Sequence, residues 1–268
     1  MKKLVVCLVF AGLSTLFVSG QKNETRSVSG FTGIDASSVF NITVSKGSQE
    51  SLIIEADEAI MQYVRSEVKN GVLHLYLDKD IDFKKINIKK LNANIVMSNL
   101  DKLSLSGACK FNSEDLFTSE KFSLKCSGAS KVAIKIATGA LDLNASGASN
   151  IQIDANVTGN AKYDVSGTTK ISGELKANDV IFDFSGVVNI ELTGSANSAK
   201  IDISGSSNIK AENFIVKTAN IDSSGASKVT LHVTDEMSVN STGASSINYK
   251  GKPATTLNIS GASKIKSL

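Results

Sequence analysis

The chain has 268 residues, 41% of them hydrophobic and 21% charged, with a formal net charge of +3. This apolar content excludes an intrinsically disordered chain, and the only long apolar run lies at the N-terminus, which excludes a polytopic helical membrane protein. The balance of charge gives no electrostatic footprint for nucleic acid, and an excess of small polar residues, 38 Ser and 21 Asn beside 20 Gly, points to many turns or a short repeated unit.

Lys2 and Lys3 precede an apolar stretch from Leu4 to Val18, and Val18-Ser19-Gly20 supplies the small residues that signal peptidase prefers. Residues 1–20 therefore read as a secretory signal peptide, and the protein is expected to be exported: periplasmic, outer-membrane-associated or extracellular. A lipoprotein signal would need Cys directly after the small residues, where Gln21 stands, and Cys7 lies inside the apolar run. The other reading is a retained anchor, although about 15 apolar residues fall short of the ~20 that a helix needs to cross a bilayer. Cleavage would leave no transmembrane segment and would remove Lys2 and Lys3 with no acid, lowering the net charge from +3 to +1. Cys109 and Cys126 then remain, too few for a disulfide framework, so the core must come from apolar packing.

Residues 21–100 form an N-terminal β segment with no regular spacing. Val39 to Ser45 alternates apolar and polar, Lys46-Gly47-Ser48 turns, and Ser51 to Ala56 continues as a strand; Asp57 to Gln62 has room for one helical turn. Asn70-Gly71, between Val64–Lys69 and Val72–Leu77, is a hairpin signal, because both central residues of the favoured two-residue turn need positive φ. The segment is expected to supply irregular first coils and a cap, continuous with the rest of the chain.

From residue 101 to 268 the sequence matches itself nine times. The copies align on Gly107, Gly128, Gly147, Gly167, Gly186, Gly205, Gly225, Gly243 and Gly261, spaced 18 to 21 residues apart. Counting from each Gly, offsets −4, −2 and +4 are mostly apolar and offsets −3 and +3 polar, the period of two that marks strands. That period excludes helical solenoids. A repeat near 19 residues is too short for a propeller blade, and the frame of leucine-rich repeats is absent. A single-stranded parallel β-helix remains, all-β, of about 19 residues per coil. It should be right-handed by the general preference of parallel crossovers, and nine coils at about 4.8 Å would stack to roughly 43 Å. Ser-Gly-small-Ser is the corner, where Gly can take positive φ or let neighbouring coils approach.

Phe31-Thr-Gly-Ile-Asp, Asn70-Gly71-Val-Leu-His-Leu and the repeated Ser-Gly-Ala-Ser-Lys/Asn-Ile together resemble the family called putative auto-transporter adhesin, head GIN domain. The resemblance runs over nearly the whole chain after residue 20. It implies a right-handed parallel β-helix exported by Gram-negative bacteria and, through the name, adhesion; it brings no functional residues. Auto-transporters proper end in a membrane barrel of about ten-residue amphipathic strands. This sequence runs to Leu268 directly after the ninth copy, so it is not expected to translocate itself.

Candidate chemistry is sparse. At offset −3, Asp164, Asp183, Asp202 and Asp222 should stack on successive coils, a weak candidate binding column in which like charges repel unless water, a lysine or a cation such as Ca²⁺ intervenes. Asn144, Asn240 and Asn258 replace Asp at that offset, and Ser104 and Lys125 open the column, a mixture that suits a solvated face better than a metal ladder. At offset +3, Lys110, Lys131, Lys170, Lys228 and Lys264, interleaved with Asn150, Asn189 and Asn208, form a second polar column able to attract acidic polysaccharide. His74 and His232 are the only imidazoles, and the serines lack a triad partner. No nucleophile elbow, phosphate loop, dinucleotide fingerprint, calcium repeat or zinc spacing occurs, so no cofactor, metal or catalytic residue is expected. Cys109 and Cys126, at offsets +2 and −2, both point inward but lie on opposite arms of the corner, and two buried free thiols are expected. The reading is a non-enzymatic β-helix that presents a polar surface to an unidentified envelope or extracellular polysaccharide or protein. The alternative is a lyase- or hydrolase-type enzyme of polysaccharides, which would need a groove with convergent acids, built by the N-terminal segment against the first coils.

Overall fold

The structure is a computed structural model that describes residues 20–82 and 88–268. The secretory-signal reading therefore falls almost wholly outside the described residues. Strands β1 (Gln21–Arg26), β2 (Gly33–Ala36), β3 (Asn41–Lys46) and β4 (Ser51–Asp57) lead into the single helical turn α1 (Glu58–Met61). Then come β5 (Val64–Lys69), β6 (Val72–Leu77), β7 (Leu91–Met97) and β8 (Lys102–Leu105). The remaining strands are β9 (Lys110–Cys126), β10 (Lys131–Ala145), β11 (Asn150–Val157), β12 (Asn160–Lys176) and β13 (Asp179–Ile203), followed by β14 (Asn208–Ser223), β15 (Lys228–Ser241), β16 (Ser246–Lys250), β17 (Ala254–Ile259) and β18 (Lys264–Ser267).

From β8 onward every strand pairs in parallel with the strand one coil away, building a β-solenoid of about 9 turns and ~19 residues per turn. The alternation in the sequence becomes the inside and outside of the tube. In the first eight copies the residues at −4, −2 and +4 are all buried, among them Leu103, Phe111, Tyr163, Phe184, Ile203 and Ile247. Aromatic side chains meet inside the tube, Tyr163 on Phe182 of the next coil at 5.2 Å between ring centres and Phe182 on Phe184 of its own strand at 5.5 Å. In the ninth copy the same offsets open to solvent, with Leu257 46% and Ile259 40% exposed, because no described coil covers them.

The corners stack backbone on backbone. The N–H of Ala129 donates to the carbonyl of Gly107 at 2.7 Å, and that of Ala148 to Gly128 at 2.7 Å. A Cβ on a corner glycine would collide with the corner above it; on Gly186 it would lie 2.5 Å from the Gly167 carbonyl oxygen. The same corner is built once more where no glycine announces it. Strand β2 lies parallel on β8, and Ser38, at φ 83°, takes the glycine's place above Gly107. In that coil Asp35 occupies offset −3 and Asn41 offset +3.

Antiparallel strands close the N-terminal end. Strands β5 and β6 form the hairpin, turning through Asn70 (φ 51°) and Gly71 (φ 72°), and β6 lies parallel on β2. Strand β4 pairs antiparallel with both β1 and β7, while α1 buries Ile60 and Met61 against the core. The apolar core is continuous from Phe31 to Ile247.

Candidate functional site

Parallel register places equivalent offsets of successive coils side by side, so any site on the regular part of this tube is built from columns. The acidic column is in register: Asn144 beside Asp164, Asp164 beside Asp183, Asp202 beside Asp222, and Asp222 beside Asn240 and then Asn258. Asp183, Asp202 and Asp222 border one shallow cavity of about 210 Å³ with Ser204, Ser224 and Thr242.

The neighbouring outward offset supplies the counter-charge. Lys200 binds Asp202 at 2.9 Å and is held above the ordinary lysine pKa first by that hydrogen bond and then by the field of Asp202, with Asp222 and Asp183 adding to it. Lys162 stands 4.0 Å from Asp164. The column also bonds along itself, Asn240 donating to Asp222 at 3.2 Å and Asn258 to Asn240 at 3.3 Å. Among the described residues, no group of three or more His, Cys, Asp and Glu is placed to hold a metal ion.

The column continues past the repeats. His74 of β6 sits beside Asp35 of β2, with His74 Nδ1 3.6 Å from Asp35 Oδ2, at the rim of a cleft of about 470 Å³ that also includes Arg65 and Asp78. Arg65 binds Asp78 at 2.7 Å. Asp35 carries neither a repeat glycine nor the regular spacing, so only the pairing of β2 with β8 and β6 reveals its place in the column. The other imidazole, His232, faces Lys250 across β15 and β16, at the far end of the molecule.

The lysine column is equally complete, running from Asn41 through Lys110, Lys131, Asn150, Lys170, Asn189, Asn208, Lys228 and Ser246 to Lys264. Its charges are unevenly committed. Lys170 and Lys210 both reach Glu191, at 3.4 and 2.9 Å, and their proximity holds the Glu191 carboxyl below its usual range, the Lys210 hydrogen bond being the main cause. Among the described residues, Lys228 and Lys250 have no carboxylate partner. Together with Asn208, Lys210, Thr230 and Ser246 they border a trough of about 730 Å³.

The carboxyl groups elsewhere that depart clearly from their ordinary value are also shifted down. Glu24, Glu55 and Glu67 are held low chiefly by hydrogen bonds from Lys22, Lys90 and Lys69. Inside the tube, Cys109 and Cys126 are buried free thiols, and desolvation pushes the Cys126 thiol up to about 12. The Tyr163 hydroxyl is fully buried without a protein partner, and burial raises its pKa as well.

The profile of the family described as putative auto-transporter adhesin, head GIN domain matches residues 30–174 and 153–253. Crystal structures of two proteins described as putative adhesins share the fold. One, from Parabacteroides merdae, has 19% identity and a TM-score of 0.70, covering 94% of this chain and 97% of that one. The other, from Parabacteroides distasonis, has 23% identity and a TM-score of 0.68, covering 93% and 98%. A P. distasonis protein described as a putative lipid binding protein is similar over 94% of this chain and 98% of its own, at 17% identity and a TM-score of 0.61. Comparison with curated proteins finds no match.

Proposed function

The chain belongs to the putative auto-transporter adhesin, head GIN domain family, and from that premise we propose that it is an exported, non-enzymatic β-helix whose outward columns bind an envelope or extracellular partner. The observation that carries this reading is the state of its acids. A glycosidase-type acid must keep its proton near neutral pH, which requires burial or a second carboxylate to raise its pKa. Here the carboxyls with a clear shift are all lowered by lysines, and the stacked aspartates are exposed or half-buried beside Lys162 and Lys200. Carboxylates paired with lysines on an outward face suit the display of charge on a surface.

A rigid tube suits display. Its backbone is fixed by ladder hydrogen bonds along its length, so side chains on one face keep constant spacing, and binding orders little that was not already ordered. Export is consistent with the apolar segment Leu4–Val18, and no helix among the described residues is long and apolar enough to cross a membrane.

The test is direct. Purified protein incubated with a panel of acidic and neutral glycans is expected to release no new reducing ends and no unsaturated products, while binding saturably to an envelope fraction. Product formation, with loss of activity on substituting His74 or Asp35 in the N-terminal cleft, would instead establish the polysaccharide-active reading.

A further inference from the structure

The two outward columns differ in what their polar groups are already doing. On the acidic side, Asp202, Asp222, Asn240 and Asn258 bond to Lys200 or to one another. In the trough on the sixth to eighth copies, the side chains of Asn208, Thr230 and Ser246 make no hydrogen bond among the described residues, and Lys228 and Lys250 are unpaired there. Asn208, Thr230 and Ser246 are half-buried, and an amide or hydroxyl that borders an open trough without an internal partner is hydrated and can exchange that water for a ligand group. Two unpaired ammonium groups beside them give the trough a positive field. Lys210 adds less to it, since it is committed to Glu191 at 2.9 Å and also feels Glu212, the one acidic side chain on the trough's border.

We propose that this trough is a binding site for an acidic polysaccharide lying along the solenoid axis. The inference rests on the non-enzymatic binding reading above and names its ligand. Three features select this chemistry. Asn208, Lys228 and Ser246 are in register on successive coils about 4.8 Å apart, close to the length of one pyranose unit in an extended chain, so successive sugars meet successive coils. Lysine is a point donor that suits a carboxylate or sulfate at varied angles, and amide and hydroxyl groups both donate and accept, as sugar hydroxyls require. An acidic polypeptide would need a deep apolar anchor as well, and the trough offers only Ala226, Ala244 and an exposed Leu268.

Polygalacturonate is the probe, with polyglutamate and neutral dextran beside it, measured against the full exported chain at two salt concentrations. Polygalacturonate is expected to bind in a salt-sensitive manner, more tightly than polyglutamate, with dextran not binding. The pair Lys228→Gln and Lys250→Gln should weaken binding about tenfold, whereas Lys110→Gln with Lys131→Gln, in the same column but outside the trough, should change it less than about twofold. Glu212→Gln should tighten binding about twofold, a gain that damage to the fold would not produce. Equal losses from the two lysine pairs, or polyglutamate binding as tightly as polygalacturonate, would overturn the site. Failure to bind polygalacturonate while the envelope fraction is still bound would overturn the trough alone; cleavage of polygalacturonate would overturn the non-enzymatic reading beneath it.

Discussion

The corners from Gly107 to Gly186 and those from Gly205 to Gly243 share one residue pattern and are built in two ways. In the first group the glycines sit at φ between 81° and 128°; in the second they lie outside the left-handed region, although a Cβ there would still strike the corner above. The inward hydroxyl at offset +2 follows the change. Ser227, Ser245 and Ser263 donate to the carbonyls of Gly205, Gly225 and Gly243 at 3.1, 3.1 and 2.9 Å, whereas Ser149, Thr169 and Ser207, which stack beneath left-handed glycines, find no partner. The inward offset −2 changes too, from Cys126 to Ser223 and Ser241, which bond Ser245 and Ser263 at 2.7 and 2.8 Å. Steric exclusion of Cβ is thus common to every corner, while the inward hydroxyl at offset +2 donates to the neighbouring glycine carbonyl only where that glycine lies outside the left-handed region. Ser223, Ser227, Ser241 and Ser245 are tolerated inside the later corners because they are bonded.

The largest expected effect tests what both corner types share, the inward and outward register. Ile203→Asp should destabilise by about 4 kcal/mol or more, since it removes a buried side chain and buries a charge. Its neighbour Asp202→Asn, which loses one half-exposed ion pair, should cost less than about 0.5 kcal/mol. Equal sensitivity in denaturant melts would reverse the register assigned to both groups. Next, Gly186→Val should cost more than about 2 kcal/mol, through both positive φ and collision with Gly167. An unchanged melting temperature would remove steric exclusion as the common rule.

One early corner carries the Cys126 thiol at the inward offset where two later ones carry Ser223 and Ser241, and that difference has an alkaline signature. Desolvation raises the folded Cys126 pKa from 9.0 to about 12, so the unfolded thiol ionises first. Its contribution is fully present below pH 9 and is lost as pH rises toward 12, about 1.4 kcal/mol of it by pH 10. Stability curves between pH 8 and 10 should show this fall, and Cys126→Ala should flatten it; an unaltered slope would mean that the thiol is solvated.

A smaller effect sharpens the comparison most. Ser245→Ala should cost about 1–2 kcal/mol, because it removes two bonds and strands the Ser223 hydroxyl, whereas Ser149→Ala should fall within about 0.5 kcal/mol of neutral or stabilise. Similar values at the two sites would show that the corners differ in geometry without differing in energy. The smallest change should be a gain. Ser38 holds φ 83° with a side chain, and Ser38→Gly should relieve that conformation by about 0.5–1 kcal/mol and raise the melting temperature by roughly 2 °C.

Most of the architecture was legible in the chain, since it rests on local chemistry. Asn70-Gly71 marked its hairpin because few other pairs accept two positive φ values, and Ser51–Ala56 and the turn near Asp57–Gln62 stood out by alternation and its interruption. The coil at Ser38 stayed hidden because its corner lacks the glycine on which the other copies align. The acidic column was visible as an offset; its lysine partners were harder to see, since Lys200 occupies an outward position that holds Asn220 one coil later and Ile181 one coil earlier. The trough left least trace in the sequence, because Lys228 and Lys250 lie 22 residues apart at different offsets.

By itself the sequence determined which side chains point inward, how long each coil is, and that the chain must stack on itself to bury them, because alternation and period are properties of one strand and one turn. Only the tertiary structure decided which polar groups are spent and which stay available. Each group's partner sits one coil away, about 4.8 Å in space but some 18 to 21 residues along the chain, at a distance set by the register of neighbouring coils and the rotation of the corner between them.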